Sequence, residues 1–156
     1  MDQNRHRIAF LNGPEGLGAA QERLQLFRRI AEERQIVVTN DLLRFTNLQS
    51  ADVRIQMEAL LALPERPQAV FTFNDYVAMD AMQACKKAGL IPNQDIAFVS
   101  FANLPITFYL DNPPLASIEQ FAYEMGEKAA QLLLEVQKYE GKICKELLVS
   151  TQLVIH

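Results

Sequence analysis

The apolar positions of this chain alternate between two patterns, short unbroken runs and three- to four-residue spacing. Unbroken runs at 8–11, 69–73 and 96–101 predict strands buried on both faces, as in a parallel sheet covered by helices. The spaced positions predict helices. The predicted helices cover 19–33, 51–63, 76–88 and 123–139, and the other predicted strands cover 36–38, 115–118 and 147–155.

Residues that cap or end a helix bound these helices, and apolar faces run along them. Asn74 and Asp75 can cap the third helix. Pro64 ends the second because proline cannot continue the hydrogen-bond ladder, and Gly89 and Gly141 are suitable ends for the third and fourth. Residues 39–50 show no period and predict a loop. The expected apolar faces are Leu24, Phe27, Ile30 and Ala31, then Ile55, Ala59, Leu60 and Leu63, then Met125, Ala129, Leu132, Leu133 and Val136.

This alternation of strands and helices predicts a fold class. Right-handed crossovers between them build an α/β fold with a doubly wound parallel sheet, a Rossmann-like three-layer α/β/α arrangement. Ligands of such folds bind at the carboxyl ends of the strands. The loops expected there are 12–18, 73–76, 101–104 and 117–121.

Composition limits the class of function. The 156 residues carry a formal net charge of -4, without a strongly basic segment, so we expect no nucleic-acid contact from this chain itself. Cys85 and Cys144 form no Cys-x-x-Cys pair and are expected to be reduced thiols. The polar start lacks a signal-peptide core, and no apolar run approaches the ~20 residues of a membrane span. We therefore expect a cytoplasmic protein without membrane contact.

The sequence lacks the motifs of common catalytic sites. Gly13, Gly16 and Gly18 match neither dinucleotide nor P-loop spacing. The only histidines, His6 and His156, are far apart in the sequence, which disfavours a histidine base or metal site. Asp75 follows a strand directly and could be a catalytic carboxylate, although helix capping is the simpler interpretation. We expect no enzyme, no catalytic residue, no cofactor and no metal.

The segment 104–110 is apolar but lies between a strand end and Asn112-Pro113-Pro114. It could fold onto its own domain or form a partner interface. The residues assigned to a dimer interface are Leu104, Ile106, Phe108 and Tyr109.

A resemblance becomes visible when the runs are taken together. Residues 67–79, PQAVFTFNDYVAM, continue through the alanine-rich 81–90 and into 95–99, DIAFV. Pro113-Pro114-Leu115, then 117–120, SIEQ, and 124–126, EMG, follow in the same order. Together these motifs resemble the lactose-repressor (LacI/GalR) family of transcription regulators over nearly the whole chain.

The resemblance implies a periplasmic-binding-protein-like effector domain. Residues 1–120 would form its C-terminal subdomain, 121–146 a crossover helix belonging to the N-terminal subdomain, and 147–156 a returning strand. The DNA-binding head would be absent, so operator DNA would be a partner only through that missing part. The implied partners of this chain are a small-molecule effector such as a sugar or related metabolite, and a second copy of itself in a homodimer.

The resemblance also assigns ligand-binding residues. Arg23 matches the arginine of R-x-x-G-F, with Leu26 in the glycine position, and its fork of donors suits hydroxyls or carboxylates. Asn74 matches a polar contact in F-x-x-N-D, and Gln120 matches a residue near the cleft. The family commonly has an aspartate where this chain has Ala102, with Asn103 next to it. Loss of that acceptor argues against a plain pyranose as the effector.

Two other classes remain open at this point. A sugar-binding protein for uptake would have a similar fold but would require export. A small nucleotide-using enzyme would rely on the loop at 13–18 and on Asp75. The helix predicted at 123–139 would also lack partners, so we expect its apolar face to be covered by rearrangement or by a second copy.

Overall fold

The computed structural model describes residues 6–138 and 145–156, and its core is a six-stranded sheet. The strands are β1 (Ile8–Asn12), β2 (Leu43–Phe45), β3 (Ala69–Thr72), β4 (Ala97–Ala102), β5 (Ala116–Glu119) and β6 (Gln152–Ile155). The α-helices are α1 (Gly18–Glu33), α2 (Ser50–Leu61), α3 (Asp75–Lys87) and α4 (Ala122–Lys138), and short 3-10 helices cover Asn40–Leu42 and Pro105–Tyr109.

The sheet has the order β2-β1-β3-β4-β5-β6. The first five strands are parallel, whereas β6 runs antiparallel to β5, with Ala116 opposite Ile155. A parallel sheet with one antiparallel edge strand is common among doubly wound folds. The predicted α/β fold class is therefore confirmed.

Helices cover the two faces of the sheet unequally. The core under α2 and α3 includes the fully buried Leu11, Met57, Val77 and Phe98. On the opposite face α1 places Phe27 against Phe10, with ring centroids 5.2 Å apart. Because residues alternate along a strand, Phe10 and Leu11 point to different faces.

The second strand lies further along the chain than expected. Residues 36–38 form only an isolated bridge, from Val37 to Arg7, and the strand is Leu43–Phe45, inside the segment predicted as loop. The Ile36 amide donates to Ala31 O, so this stretch closes α1 and makes only that single bridge beside the start of β1. The strand beside β1 is too short to show a period, although Leu42 before it is fully buried.

The apolar faces of the first two helices also need correction. On α2 the buried residues are Val53, Met57 and Leu60, while the predicted Ile55 is 60% exposed. On α1, Leu24 and Ala31 are buried as predicted, but Ile30 is 45% exposed. Helical spacing thus identified both helices. For α2 it predicted Leu60, which is buried, and Leu63, which packs against the core, but it wrongly included Ile55 and missed Val53 and Met57.

The C-terminal region differs from the rest of the molecule. None of the residues of α4 is buried, and Met125 and Leu133 are 46% and 60% exposed. The final strand is confined to Gln152–Ile155, shorter than the predicted 147–155. The predicted helix end at Tyr139 and Gly141, and also Cys144, lie outside the described residues. The assignment of this helix to another subdomain stays a prediction.

Candidate functional site

Arg23 occupies the carboxyl edge of the sheet, where ligands of this fold class bind. Its Nη1 donates to the backbone oxygen of Phe73 at 2.9 Å. The guanidinium lies 3.9 Å from the ring centroid of Phe101 and 4.6 Å from that of Phe73, both within cation–π range. Burial lowers the pKa of Arg23, which stays protonated near neutral pH.

The loop after β1 is shaped by packing. Asn12 is buried, donates through Nδ2 to Ala20 O at 2.8 Å and accepts from the Gly13 amide at 2.8 Å. A Cβ on Gly13 would lie 2.9 Å from ring carbons of Phe73. Gly13 therefore allows the Phe73 ring to approach the backbone beside Arg23, which gives this glycine a role that requires no phosphate.

Asn74 and Asp75 have separate roles. The side chain of Asn74 accepts from the Val77 amide at 3.0 Å, which caps α3 as predicted. Asp75 does not cap the helix, so that interpretation was wrong. It is fully buried, and its Oδ1 accepts from Ser100 Oγ and, at 3.0 Å, from Ser117 Oγ.

Asp75 also determines the path of the chain after β4. Its Oδ2 accepts from the Leu104 amide at 2.6 Å. One carboxylate thus joins α3 to β4, β5 and the segment after β4, and we call Asp75, Ser100, Ser117 and Leu104 the aspartate cluster. A catalytic carboxylate must reach its substrate; a fully buried one with three donors is better explained as structural.

Asn103 and Glu119 form a second polar group at the same edge. Ala102 and Glu119 are register partners on β4 and β5. Both Ala102 and Asn103 have positive φ, 97° and 50°, which turns the chain at the strand end. Asn103 Nδ2 donates to Glu119 Oε2 at 2.9 Å, and the Phe121 amide donates to Oε1 at 2.7 Å.

The Asn103–Glu119 pair is charged and incompletely satisfied. Hydrogen bonds from Asn103 and from the Phe121 backbone hold the pKa of Glu119 below its ordinary value. Asn103 Oδ1 is buried and accepts no hydrogen bond from the residues that the structure describes. A buried acceptor without a donor costs free energy, so this atom marks a place where a donor is missing.

The predicted site residues thus form three groups. Arg23 lies with Phe73 and Phe101, Asn103 lies with Glu119, and Asn74 caps α3; Gln120 is half-buried next to Glu119 in the sequence. The sequence interpretation placed Phe73, Phe101 and Glu119 in candidate ligand loops but did not name them among the candidate site residues. The strand register, which brings Glu119 beside Ala102, would have pointed to Glu119. The sequence alone does not give this register because it depends on how β4 and β5 pair.

The segment assigned to a dimer interface is exposed. Ile106, Phe108 and Tyr109 are 39%, 70% and 83% exposed, while Thr107 between them is buried. A groove of about 290 Å³ separates this segment from α3, lined by Met79, Gln83 and Lys86 among others. The structure leaves these apolar side chains available for a partner.

Residues 6–138 and 145–156 contain neither a candidate metal site nor a membrane-spanning helix. No group of three or more histidine, cysteine, aspartate or glutamate side chains there could hold a metal ion. No helix in this part of the chain is long and apolar enough to span a membrane.

Comparison with known proteins identifies the family. A model described as a periplasmic binding protein-like domain matches residues 1–156. The HTH-type transcriptional repressor PurR of Vibrio cholerae is 31% identical over 134 residues, covering 86% of this chain and 40% of PurR. The HTH-type transcriptional repressor CytR of Escherichia coli is 32% identical over 134 residues, with 86% and 39% coverage.

Solved structures agree with this match. A regulatory protein of the LacI family from Chloroflexus aggregans superimposes with a TM-score of 0.88 at 28% identity, covering 98% of this chain and 55% of that one. This chain therefore belongs to the periplasmic binding protein-like domain family, in the form found in LacI/GalR regulators. It spans about two fifths of the length of the repressors that it matches.

These relatives bear on the three classes that the sequence left open. They are transcriptional repressors, not enzymes. The regulator interpretation is supported, and neither an uptake protein nor a nucleotide-using enzyme is favoured.

Proposed function

We propose that this chain is the effector-sensing and dimerisation part of a LacI/GalR-type transcription regulator. The carrying observation is the placement of Arg23 at the carboxyl edge, fixed by the Phe73 carbonyl and the Phe101 ring. Its other N–H groups have no hydrogen-bond partner among the described residues, so they are available to a ligand. The repressor relatives support the same function.

The proposed mechanism is allosteric. A small-molecule effector would bind at the carboxyl edge, contacting Arg23, Asn74, Asn103 and Gln120. Binding shifts a regulator only to the extent that the effector prefers one conformation. Operator DNA would be contacted by a helix-turn-helix part of the whole protein, as the names of the relatives indicate. The net charge of -4 fits a chain that does not itself contact DNA.

A homodimer is the second part of the proposal. The exposed side chains of Ile106, Phe108 and Tyr109 and the neighbouring face of α3 offer an apolar surface on one side of the domain. Leu104 starts this segment, and its amide is fixed by the buried Asp75. Exposed apolar patches of this kind are typical of interaction surfaces.

Substitution of Arg23 tests the effector site. We expect Arg23→Lys to weaken effector binding at least tenfold because lysine loses the planar fork while keeping the charge. Calorimetric titration of the 156-residue chain with monosaccharides, phosphosugars and nucleosides measures this. Arg29→Lys, on the exposed surface of α1, is the matched control.

Two results would contradict the proposal. One is that no member of the panel binds the unaltered chain. The other is that a member binds and Arg23→Lys retains full affinity, which would place the effector elsewhere on the molecule.

A further inference from the structure

The carboxyl edge of the sheet contains an acceptor site that is only partly used. A carboxylate offers about four lone-pair positions. The two donors on Glu119, Asn103 Nδ2 at 2.9 Å and the Phe121 amide at 2.7 Å, take one on each oxygen. Glu119 is also partly exposed, so its remaining lone pairs are within reach of a ligand.

Asn103 Oδ1, next to Glu119, lacks a hydrogen-bond donor among the described residues. Asn103 Oδ1 is buried and accepts no hydrogen bond within the part of the chain that the structure describes. Its own Nδ2 donates to Glu119 Oε2 at 2.9 Å, so the same side chain touches the carboxylate. A molecule that brings hydrogen-bond donors to this edge would meet the partly exposed Glu119 directly, and Asn103 Oδ1 would need a small rotation of its side chain to accept as well.

The position of the pair on the sheet favours a ligand. Ala102, the register partner of Glu119, has only a methyl group and so adds no competing polar side chain beside the glutamate. Phe101, one residue earlier, lies under the Arg23 guanidinium. The same edge therefore presents donors on Arg23 and acceptors on Glu119 and Asn103.

We infer that Glu119 is the acceptor carboxylate of the effector site, and that the effector presents hydroxyl or amino donors to Glu119 and Asn103. This inference rests on the proposed function and adds a residue and a ligand chemistry to it. It also removes the objection to hydroxyl-rich effectors that Ala102 raised, because the acceptor is supplied from the neighbouring strand.

The alternative role for Glu119 is purely local. Its two hydrogen bonds could serve only to hold Asn103 and Phe121, which have φ values of 50° and 51°. Glu119→Gln separates the two roles because its amide oxygen can still accept from the Phe121 amide, while the charge and half of the acceptors are lost. A local role predicts altered stability without altered binding.

The test is an NMR titration of the 15N-labelled chain with D-ribose, D-galactose, cellobiose and adenosine. We expect at least one of these to saturate the unaltered chain and to shift the Asn103 side-chain amide signal. Glu119→Gln should weaken that binding at least tenfold, whereas Glu58→Gln, an exposed glutamate on α2, should leave it unchanged.

A second measurement covers the case in which Glu119→Gln fails to fold. The 13C signal of the Glu119 carboxyl in the unaltered chain should move when the binding probe is added. Unchanged affinity of a folded Glu119→Gln, or an unmoved carboxyl signal at saturation, would overturn the inference and leave the proposed function standing. Failure of all four probes to bind the unaltered chain would overturn the inference about ligand chemistry, and the proposed function would fall only if the wider panel of phosphosugars and nucleosides also failed to bind.

Discussion

Two carboxylates lie at the carboxyl edge of this sheet, and their surroundings differ. Asp75 is fully buried and accepts from two serine hydroxyls and a backbone amide. Glu119, at the end of β5, is partly exposed and accepts from two donors. Beside it, Asn103 Oδ1 is buried and has no donor among the described residues. The edge therefore contains the buried aspartate cluster and the partly exposed Asn103–Glu119 pair. Position in the fold alone does not show which of the two carboxylates is structural.

Loss of the Asp75 carboxylate gives the largest expected effect. Asp75→Ala leaves two buried hydroxyls and the Leu104 amide without their acceptor, and we expect it to lower the free energy of unfolding by about 3 kcal/mol. Chemical denaturation measures this loss. The exposed Asp111→Ala should change stability by less than about 0.5 kcal/mol, and a similarly small effect for Asp75→Ala would show that the aspartate cluster is not structural.

Gly13, like Asp75, is expected to contribute to stability and not to ligand binding. Gly13→Ala places a Cβ against the Phe73 ring, and overpacking of this kind typically costs about 1–3 kcal/mol. Thermal or urea unfolding measures the loss. Gly16→Ala is the matched control because a Cβ there meets nothing within 4 Å. Equal stability of the two variants would mean that the ring does not require this glycine.

Glu119 should contribute least to stability. Hydrogen bonds lower its folded pKa, so its contribution is present above the unfolded pKa and is lost as the pH falls through the folded value. Because the side chain is partly exposed, we expect Glu119→Gln to cost less than about 1 kcal/mol at pH 7, and less still near pH 3. Urea unfolding at both pH values tests this. If Glu119→Gln lowered the free energy of unfolding as much as Asp75→Ala, the two carboxylates would not differ in their structural role.

The general architecture could be predicted from the sequence because it depends on local patterns. Unbroken apolar runs identified β1, β3 and β4, and Asn74 before α3 is the cap that its residue type predicts. The strand β2 was missed because its three residues are shorter than any period. On α2 the prediction was right for Leu60 and wrong for Ile55, because the spacing of apolar residues does not show that Val53 is the position that becomes buried.

The site was predicted less completely than the fold. Arg23, Asn74 and Asn103 were found through the family resemblance, and the structure places Arg23 and Asn103 at the expected edge. The difference between Asp75 and Glu119 depends on which donors surround each carboxylate. Those donors come from β4, β5 and the segment after β4, and local sequence patterns do not encode such contacts.

Effectors are expected to bind at the Asn103–Glu119 pair and not at the aspartate cluster. Mapping of backbone amide shifts in the 15N-labelled chain during titration with ribose, galactose, cellobiose and adenosine tests it most directly. We expect saturable shifts centred on Arg23, Asn103 and Glu119, with little change in the core around Phe98. Saturable shifts centred elsewhere, with these three residues unmoved, would contradict it.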